Sequence, residues 1–225
     1  MSWLTKSLSS TLGRKLLMAA TGLFLIIFLV VHLAGNLQLL ADDGGDAFNV
    51  YAKFMTTNPV IKTTSYLLYA TFVIHIIWAI ILTANNRKAR PVGYKVSKAS
   101  TNSTWSSRNM GFLGTIVFIF LVMHLANFWW KMKFGDMPMI TIDGAEYKDL
   151  YTVVDTAFAE LWIVIVYVIA MIGLMFHLYH GFQSAFQTLG LNHPKYNPVI
   201  KLIGVAFAII VPALFASIPV LMYMN

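Results

Sequence analysis

The sequence predicts an all-α membrane protein with five transmembrane helices. Its 225 residues are 58% hydrophobic and 11% charged, with a mean hydropathy of +0.70. A soluble domain cannot bury so large an apolar fraction. Five windows without Lys, Arg, Asp or Glu are each longer than the roughly 20 residues that cross the hydrocarbon core. Backbone groups in lipid must be hydrogen-bonded internally, so these windows are expected to be helices.

The windows place the five spans, in chain order, at about 14–40, 61–86, 108–131, 156–190 and 199–223, within one membrane domain of residues 1–225. Spans 1 to 4 are expected to form an up-down-up-down bundle, in which spans 1 and 3 are diagonal and so are spans 2 and 4. The uncharged window of span 4 is too long for one crossing. Its helix is expected to run past the bilayer and to stop at Gly190, with Pro194 following.

Two loops are expected to be partly ordered. In the loop between spans 1 and 2, residues 47–55 are expected to form a short surface helix. The loop of residues 131–155, between spans 3 and 4, is expected to carry a helical turn. We take Pro212 to be the only proline inside a span.

Charge predicts the orientation of the chain. The N-terminal segment and the loops between spans 2 and 3 and between spans 4 and 5 carry eleven basic residues and no acid. The other two loops carry all nine acids and only five lysines. By the positive-inside rule, the N-terminus and the two basic loops are cytoplasmic. The net charge of +7 is therefore a sign of topology, and is compatible with contact to anionic lipid, rather than a sign of nucleic-acid binding.

Four histidines lie inside the apolar windows, and two of them occupy near-copies of one segment. Residues 28–34 and 120–126 share six of seven residues, including His32 and His124. His75 and His177 lie in spans 2 and 4. A single membrane histidine is more often a hydrogen-bonded packing residue, but an imidazole in hydrocarbon needs a partner. A metal centre bound by pairs of imidazoles explains four such histidines best.

Depth in the membrane divides these histidines into two pairs. Counted from the charged edges of the windows, His32 and His124 reach similar depth on the outer side of spans 1 and 3. His75 and His177 lie deeper, in spans 2 and 4. Each diagonal pair could hold a flat group such as haem between its two rings. The pairs are expected to be about 8 Å apart along the axis, at 1.5 Å per residue.

The absence of cysteine limits the kind of metal centre. It excludes disulfides, a cysteine-ligated iron–sulfur cluster and covalent c-type haem. Imidazole also binds copper and zinc, but no carboxylate or thiolate accompanies these histidines to complete such a site. A haem held by side-chain ligation and packing alone is therefore favoured.

Span 4 contains two histidines, and small neighbours favour one of them. Gly173 and Gly181 stand four residues on either side of His177, which leaves room for a macrocycle. His180 has bulkier neighbours at those spacings. We therefore expect His177 to be the ligand, and His180 to make a hydrogen bond near the haem or to serve packing.

The whole chain resembles the di-haem cytochrome b membrane subunit of succinate dehydrogenase and fumarate reductase, in its five-helix, single-chain form. The resemblance rests on the five spans, on the histidines of spans 1 to 4 and on the stretch 176–190. There, His177 and Gly181 are similar to the family's histidine-x-x-x-glycine signature. Some relatives carry a carboxylate just before the span 4 histidine, where this chain has Leu174, Met175 and Phe176. The chain thus lacks the group on which a proton route at that position would depend.

The resemblance implies two b haems. His32 and His124 would ligate the iron of the outer haem, and His75 and His177 that of the inner haem. The chain would be the membrane anchor of a succinate:quinone oxidoreductase in a bacterial inner (cytoplasmic) membrane. On the cytoplasmic side it would dock an iron–sulfur subunit that carries a flavoprotein subunit, in a complex able to form higher oligomers. Electrons would pass from the inner to the outer haem and reduce a membrane quinone, usually menaquinone. Dicarboxylate chemistry would belong to the partner subunits.

Polar residues near the outer haem are the expected quinone contacts. Asn36 and Gln38 end span 1, Asn127 lies in span 3, and Asp42 and Asp46 lie in the adjoining loop. A quinone carbonyl needs hydrogen-bond donors, which the amides supply. Asn36 and Asn127 could equally well cap or bridge helices.

Three alternatives remain open from the sequence. The chain could be a b-type, quinone-reactive subunit of another dehydrogenase, such as a hydrogenase or formate dehydrogenase. It could be a proton-coupled transporter with histidines as a proton relay, although transporters usually have broken helices at the midplane. A haem-free anchor would leave the four histidines without a role. An absorption spectrum separates the haem-binding proteins from the last two.

Overall fold

A computed structural model describes residues 10–89, 101 and 103–225, and these residues are 82% helical. Within these residues, five helices are long and apolar enough to cross a membrane, which confirms the prediction of five apolar helices. Their bounds are Thr11–Leu40 (span 1), Pro59–Lys88 (span 2), Met110–Phe134 (span 3), Leu161–Thr188 (span 4) and Asn197–Met224 (span 5). Shorter helices lie between them: α1 (Asp46–Thr57), α2 (Trp105–Arg108) and α3 (Leu150–Phe158).

Two spans change their helical type near one end. Span 1 is α-helical over Thr11–Asn36 and finishes in a 3-10 turn, Leu37–Leu40. Span 3 is α-helical over Met110–His124, π-helical over Leu125–Trp130 and α-helical again over Lys131–Phe134. The π-helical segment therefore begins directly after one of the four histidines. Such segments are rare and are frequently found at functional sites.

Capping residues determine where spans 1 and 2 begin. The Ser10 hydroxyl accepts a hydrogen bond from the backbone N–H of Gly13 at 3.0 Å. The Asn58 side chain accepts from the N–H of Val60 at 3.0 Å, and Pro59 occupies the first turn. Both are favoured helix starts, because they satisfy or remove N–H groups that lack an intrahelical partner. The two spans consequently begin slightly earlier than the uncharged windows predicted.

Span 4 ends as the sequence predicted, in a Schellman motif. Gly190 has a φ of +78°, which favours glycine. The N–H of Leu191 donates to the carbonyl of Phe186 at 3.0 Å, and the N–H of Gly190 donates to that of Gln187 at 3.2 Å. The predicted start at residue 156 was too early, because α3 occupies Leu150–Phe158 as a separate helix.

The two acid-rich loops fold together into an ordered cap. α1 confirms the predicted surface helix, and α3 is the helical element expected between spans 3 and 4. A β-hairpin precedes α3, with β1 (Met139–Ile142) antiparallel to β2 (Ala145–Lys148). Its two-residue turn consists of Asp143 and Gly144, both at positive φ. This hairpin was not among the predicted elements, although Asp-Gly between alternating residues is a strong hairpin signal.

A buried asparagine joins the two helices of the cap. Asn49 in α1 is only 1% exposed. Its Nδ2 donates to Asp149 Oδ1 at 3.0 Å, and its Oδ1 accepts from the backbone N–H of Tyr151 at 3.0 Å. Asp149 also caps α3 by accepting from the N–H of Thr152 at 3.1 Å. This Asn49–Asp149–Tyr151 contact is referred to below as the cap latch.

Span 4 is the centre of the packing. It contacts spans 1, 3 and 5, while span 2 contacts spans 1 and 3. In its most apolar window 44% of the residues are buried, against 6% in span 2 and 11% in each of spans 1 and 3. The helices that carry three of the four histidines are therefore the less tightly packed ones.

Span 5 contains a second internal proline. Pro212 is not the only proline inside a span, because Pro219 also lies within the helix of span 5. The basic loop between spans 2 and 3 was expected to be a cytoplasmic surface, but most of it lies outside the described residues. The basic residues that lie outside the described part of the chain are Arg90, Lys95 and Lys98 of this loop and Lys6 near the N-terminus.

Candidate haem site

The structure brings together His32 and His124, the predicted outer pair. The ring centroids of His32 and His124 are 5.8 Å apart, with the ring planes at 89° to each other. Aromatic side chains surround them, since Phe28 stacks on His32 and Phe128 meets His124 edge-on. Phe215 of span 5 also contacts His32, with a centroid distance of 5.7 Å. Two imidazoles from spans 1 and 3 thus face each other in an apolar, aromatic setting.

The inner two histidines are also paired. The ring centroids of His75 and His177 are 6.4 Å apart, at an angle of 59°. His177 Nδ1 is buried and has no hydrogen-bond partner among the described residues. His180 makes no ring contact with His75 in the described part of the chain. The arrangement places His177, not His180, opposite His75, as the glycine spacing predicted, while ligation itself stays a prediction.

Asn36 lies over the ring of His32. Its amide nitrogen is 3.3 Å from Nδ1 and 3.5 Å from Nε2, and it donates to the His32 carbonyl at 2.7 Å. A donor in the ring plane would be close to one nitrogen and far from the other. Near-equal distances therefore place the amide over the ring face, where it leaves the in-plane lone pair of the imidazole free.

The hydroxyl of Thr21 contacts His75. Thr21 Oγ1 is 3.0 Å from His75 Nδ1 and also donates to the carbonyl of Leu17 at 2.7 Å. On the other pair, the Tyr167 hydroxyl is 3.4 Å from His124 Nδ1. Each pair therefore has one histidine whose Nδ1 meets a hydroxyl from a neighbouring span. Neither Thr21 nor Tyr167 was predicted as a site residue, because spacing along one span does not indicate contacts between spans.

The two pairs lie further apart than predicted. Thr21 marks the level of the inner pair in span 1, and His32 is eleven residues away. In span 3, a Cβ on Gly114 would lie 3.8 Å from His177 Cε1, and His124 is ten residues away. Both counts give about 15–17 Å at 1.5 Å per residue, roughly twice the expected distance.

The predicted distance was too short because the charged edges of the windows do not lie in one plane. Lys62 lies inside span 2, beyond its first residue Pro59, whereas Asp42 lies past the end of span 1. The contact between Thr21 and His75 shows directly which residues of spans 1 and 2 lie at the same depth.

The glycines divide into positions beside the histidine rings and positions of close helix packing. A Cβ on Gly22 would lie 3.6 Å from His75 Cε1, so Gly22 and Gly114 both border the inner pair. A Cβ on Gly173 would lie 2.9 Å from Ile116 Cγ2. Gly173, to which the sequence analysis gave a role in making room for haem, therefore serves the close approach of spans 3 and 4.

Of the three amide side chains among the quinone candidates, two lie at the outer pair. Asn36 covers His32, as described above. Asn127 interacts with the hydroxyl of Tyr167, which contacts His124. Gln38 lies in the 3-10 turn after span 1, where its carbonyl accepts from the N–H of Ala41 at 3.2 Å. Among the described residues, no contact between Gln38 and either histidine is seen.

The paired histidines suit a metal cofactor that already supplies most of the ligands of its metal. No group of three or more His, Cys, Asp or Glu side chains that could hold a metal ion occurs among the described residues. A structural zinc site takes four protein ligands, whereas haem iron needs only axial ligands, which one histidine pair can supply. At the inner pair, His177 Nδ1 is buried without a hydrogen-bond partner among the described residues, and Gly22 and Gly114 lie beside the two rings, which fits a flat macrocycle there.

Comparison of the chain with known protein families, with curated proteins and with solved structures finds no match.

Proposed function

We propose that the chain is the haem-binding membrane anchor and electron-transfer subunit of a succinate:quinone oxidoreductase. The observation that carries this proposal is the pairing of four membrane histidines into two sets, with centroid separations of 5.8 Å and 6.4 Å. Two imidazoles on opposite sides of one metal atom, each about 2 Å from it, are separated by roughly 6 Å between ring centres. The assignment to the succinate and fumarate family comes from the sequence resemblance.

Helix contacts support an up-down-up-down bundle of spans 1 to 4. Arg14, near the start of span 1, lies against Trp78, near the end of span 2, while Phe28 lies against Phe72. Contact positions that rise in one span and fall in the next indicate antiparallel neighbours. Spans 3 and 4 follow the same rule, since Gly114 lies beside His177 and His124 beside Tyr167. In such a bundle both histidine pairs are diagonal.

Each residue would have a limited task. When bound, the two haems would supply one-electron redox chemistry. His32 and His124 would hold the outer iron, and His75 and His177 the inner iron, both without a covalent bond to the porphyrin. Asn36 and Asn127 would place amide groups near the outer haem, where they could orient a quinone head group. Catalysis of dicarboxylate chemistry would remain with the partner subunits.

The bacterial cytoplasmic membrane and a cytoplasmic N-terminus belong to the same proposal. All nine acids lie in loops 42–46 and 136–160, which form the cap, and this separation from the larger basic set supports an external cap. An iron–sulfur subunit with its flavoprotein would then dock at the basic end.

The test is a haem count with matched variants. We expect the purified chain to show a low-spin b-type spectrum and two haems per chain by the pyridine haemochrome assay, because two histidines would hold each iron. His193, which lies in the loop between spans 4 and 5, is the control: His193→Ala should keep both haems. A count of zero would refute haem binding, and a count of one would refute the four-ligand scheme.

Co-purification tests the family assignment separately. We expect an iron–sulfur protein and a flavoprotein to accompany the chain in mild detergent, together with succinate-dependent quinone reduction. Co-purification with a nickel hydrogenase or a formate dehydrogenase would retain the haem sites but replace the proposed complex.

A further inference from the structure

We propose that Thr21 is a positioning residue of the inner iron site, which fixes the nitrogen that His75 offers to the metal. The inference rests on the proposed function, since it concerns the same histidine pair. It goes further by naming the tautomer of one ligand and the side chain that holds it.

The hydrogen-bond partners of the Thr21 hydroxyl determine the tautomer of His75. A threonine hydroxyl has one proton to donate and lone pairs with which to accept. The Thr21 hydroxyl lies 2.7 Å from the carbonyl of Leu17 and 3.1 Å from that of Met18, and a carbonyl can only accept. The proton of Thr21 is thereby committed to its own helix. The contact of 3.0 Å with His75 Nδ1 must then be a bond that the ring N–H donates to the hydroxyl oxygen.

This assignment leaves His75 ready to bind metal. A neutral imidazole carries one N–H, so a proton on Nδ1 means a lone pair on Nε2. Metal-ligating histidines commonly donate their other N–H to an oxygen, which fixes the ring orientation and raises ligand basicity. Thr21 therefore performs for His75 what a carbonyl or carboxylate does at other sites.

The other three histidines have no equivalent bond within the described residues. His177 Nδ1 is buried without a partner. Asn36 lies over the face of His32 rather than in its plane. Tyr167 is 3.4 Å from His124 Nδ1, a long contact in which the direction of donation is not fixed by a second acceptor. The inner pair thus combines one oriented ring with one whose Nδ1 makes no hydrogen bond to the described residues.

The bond has a consequence that can be measured for the inner haem alone. A ligand that donates from Nδ1 pushes more electron density to the iron and favours the ferric state. Removing the acceptor should therefore raise the reduction potential of the inner haem. The effect is bounded by the worth of one neutral hydrogen bond, at most about tenfold in the ratio of oxidation states, or about 59 mV for one electron.

The experiment compares three variants of the full chain in its complex. Thr21→Val keeps the branched shape and removes the acceptor, while Thr21→Ser keeps the hydroxyl. Thr71→Val is the control, because Thr71 is buried in span 2, one turn from His75, and its hydroxyl bonds the Leu67 carbonyl at 2.8 Å. Haem content is measured by pyridine haemochrome, and both potentials by redox titration of the absorption spectrum.

We expect Thr21→Val to keep two haems and raise one potential, or to lose one haem while retaining the other. Thr21→Ser and Thr71→Val should match the parent chain. Equal potentials in the parent and Thr21→Val would overturn the inference, as would shifts of both haems together or a shift in Thr71→Val of the same size. A parent chain without haem would instead overturn the proposed function, and the role of Thr21 with it.

Discussion

The cap latch offers the most quantitative prediction for the region outside the spans. Asn49→Leu removes a side chain that is 1% exposed and makes two hydrogen bonds between α1 and α3. The bond to the Asp149 carboxylate is a charged one, worth about 1.5–3 kcal/mol. The N–H of Tyr151 loses its acceptor, at a cost of about 1–3 kcal/mol if it stays buried. Since Asp149 keeps its bonds to Thr152, we expect the total loss of cap stability to lie near the lower end of these ranges, at about 3 kcal/mol.

Hydrogen exchange of the backbone amides measures this cost locally, without unfolding the spans. At 1.4 kcal/mol per tenfold, a loss of about 3 kcal/mol speeds exchange in α1 and α3 by about a hundredfold. Thr56→Val is the matched control, because the Thr56 hydroxyl bonds only carbonyls of its own helix, at 2.9 Å and 3.0 Å. Unchanged exchange in α3 of Asn49→Leu would show that the latch does not hold the cap together.

The latch also predicts a pH dependence. Burial alone would raise the pKa of the Asp149 carboxyl, but hydrogen bonds from Thr152 and Asn49 outweigh it and hold the pKa below its usual value. Such a group stabilises the fold fully above its unfolded pKa of about 3.9, and the contribution is lost as the pH falls through the lower folded value. Exchange in α1 and α3 should therefore accelerate below about pH 4, relative to the intrinsic rate, and Asp149→Asn should remove this acceleration. Acceleration that persists in Asp149→Asn would assign it to another group.

The remaining predictions concern the haem ligands and the orientation. His177→Ala should leave one haem per chain by pyridine haemochrome, whereas His180→Ala should keep two; the reverse result would exchange their roles. Cysteines introduced at Ser97 and at the exposed Ala41 should react with an impermeant reagent from opposite sides, with Ala41 reached from outside. Gly45 is unsuited to this labelling, because a Cβ there would lie 2.1 Å from a neighbouring aromatic ring. Reaction of both positions from the same side would refute the assigned topology.

Much of the fold follows from local sequence signals. Uncharged apolar windows locate the spans because burial in lipid requires both length and internal hydrogen bonding. The end of span 4 could be predicted from Gly190, because a positive φ at a helix end depends on the residue type at that single position. The hairpin at Asp143 and Gly144 has an equally local signal, because Asp-Gly favours the positive φ values of a two-residue turn.

The site is less predictable because its geometry depends on neighbouring helices. His32 and His124 were predicted to pair from their similar depth in spans 1 and 3, and their rings do meet at 5.8 Å. The hydroxyls that contact His75 and His124 come from Thr21 and Tyr167 on other spans, and no spacing within one helix indicates them. The predicted distance between the two pairs was wrong for the same reason. The register between two helices is set by side-chain packing and not by the last charged residue of each.

The corrected distance between the pairs changes the expected behaviour of the proposed haems. Sites about 8 Å apart would share neighbours, and a substitution at one would perturb the other. At about 15–17 Å along the axis, Thr21, His75 and His177 form a unit that lies far from His32 and His124. Effects at sites more than about 7–10 Å apart, with no shared partners, are usually additive. The two potentials should therefore respond independently to substitutions at Thr21 and Tyr167, and their shifts should add in a double variant. Coupled shifts would mean that the pairs are linked through the span 4 helix that carries both Tyr167 and His177.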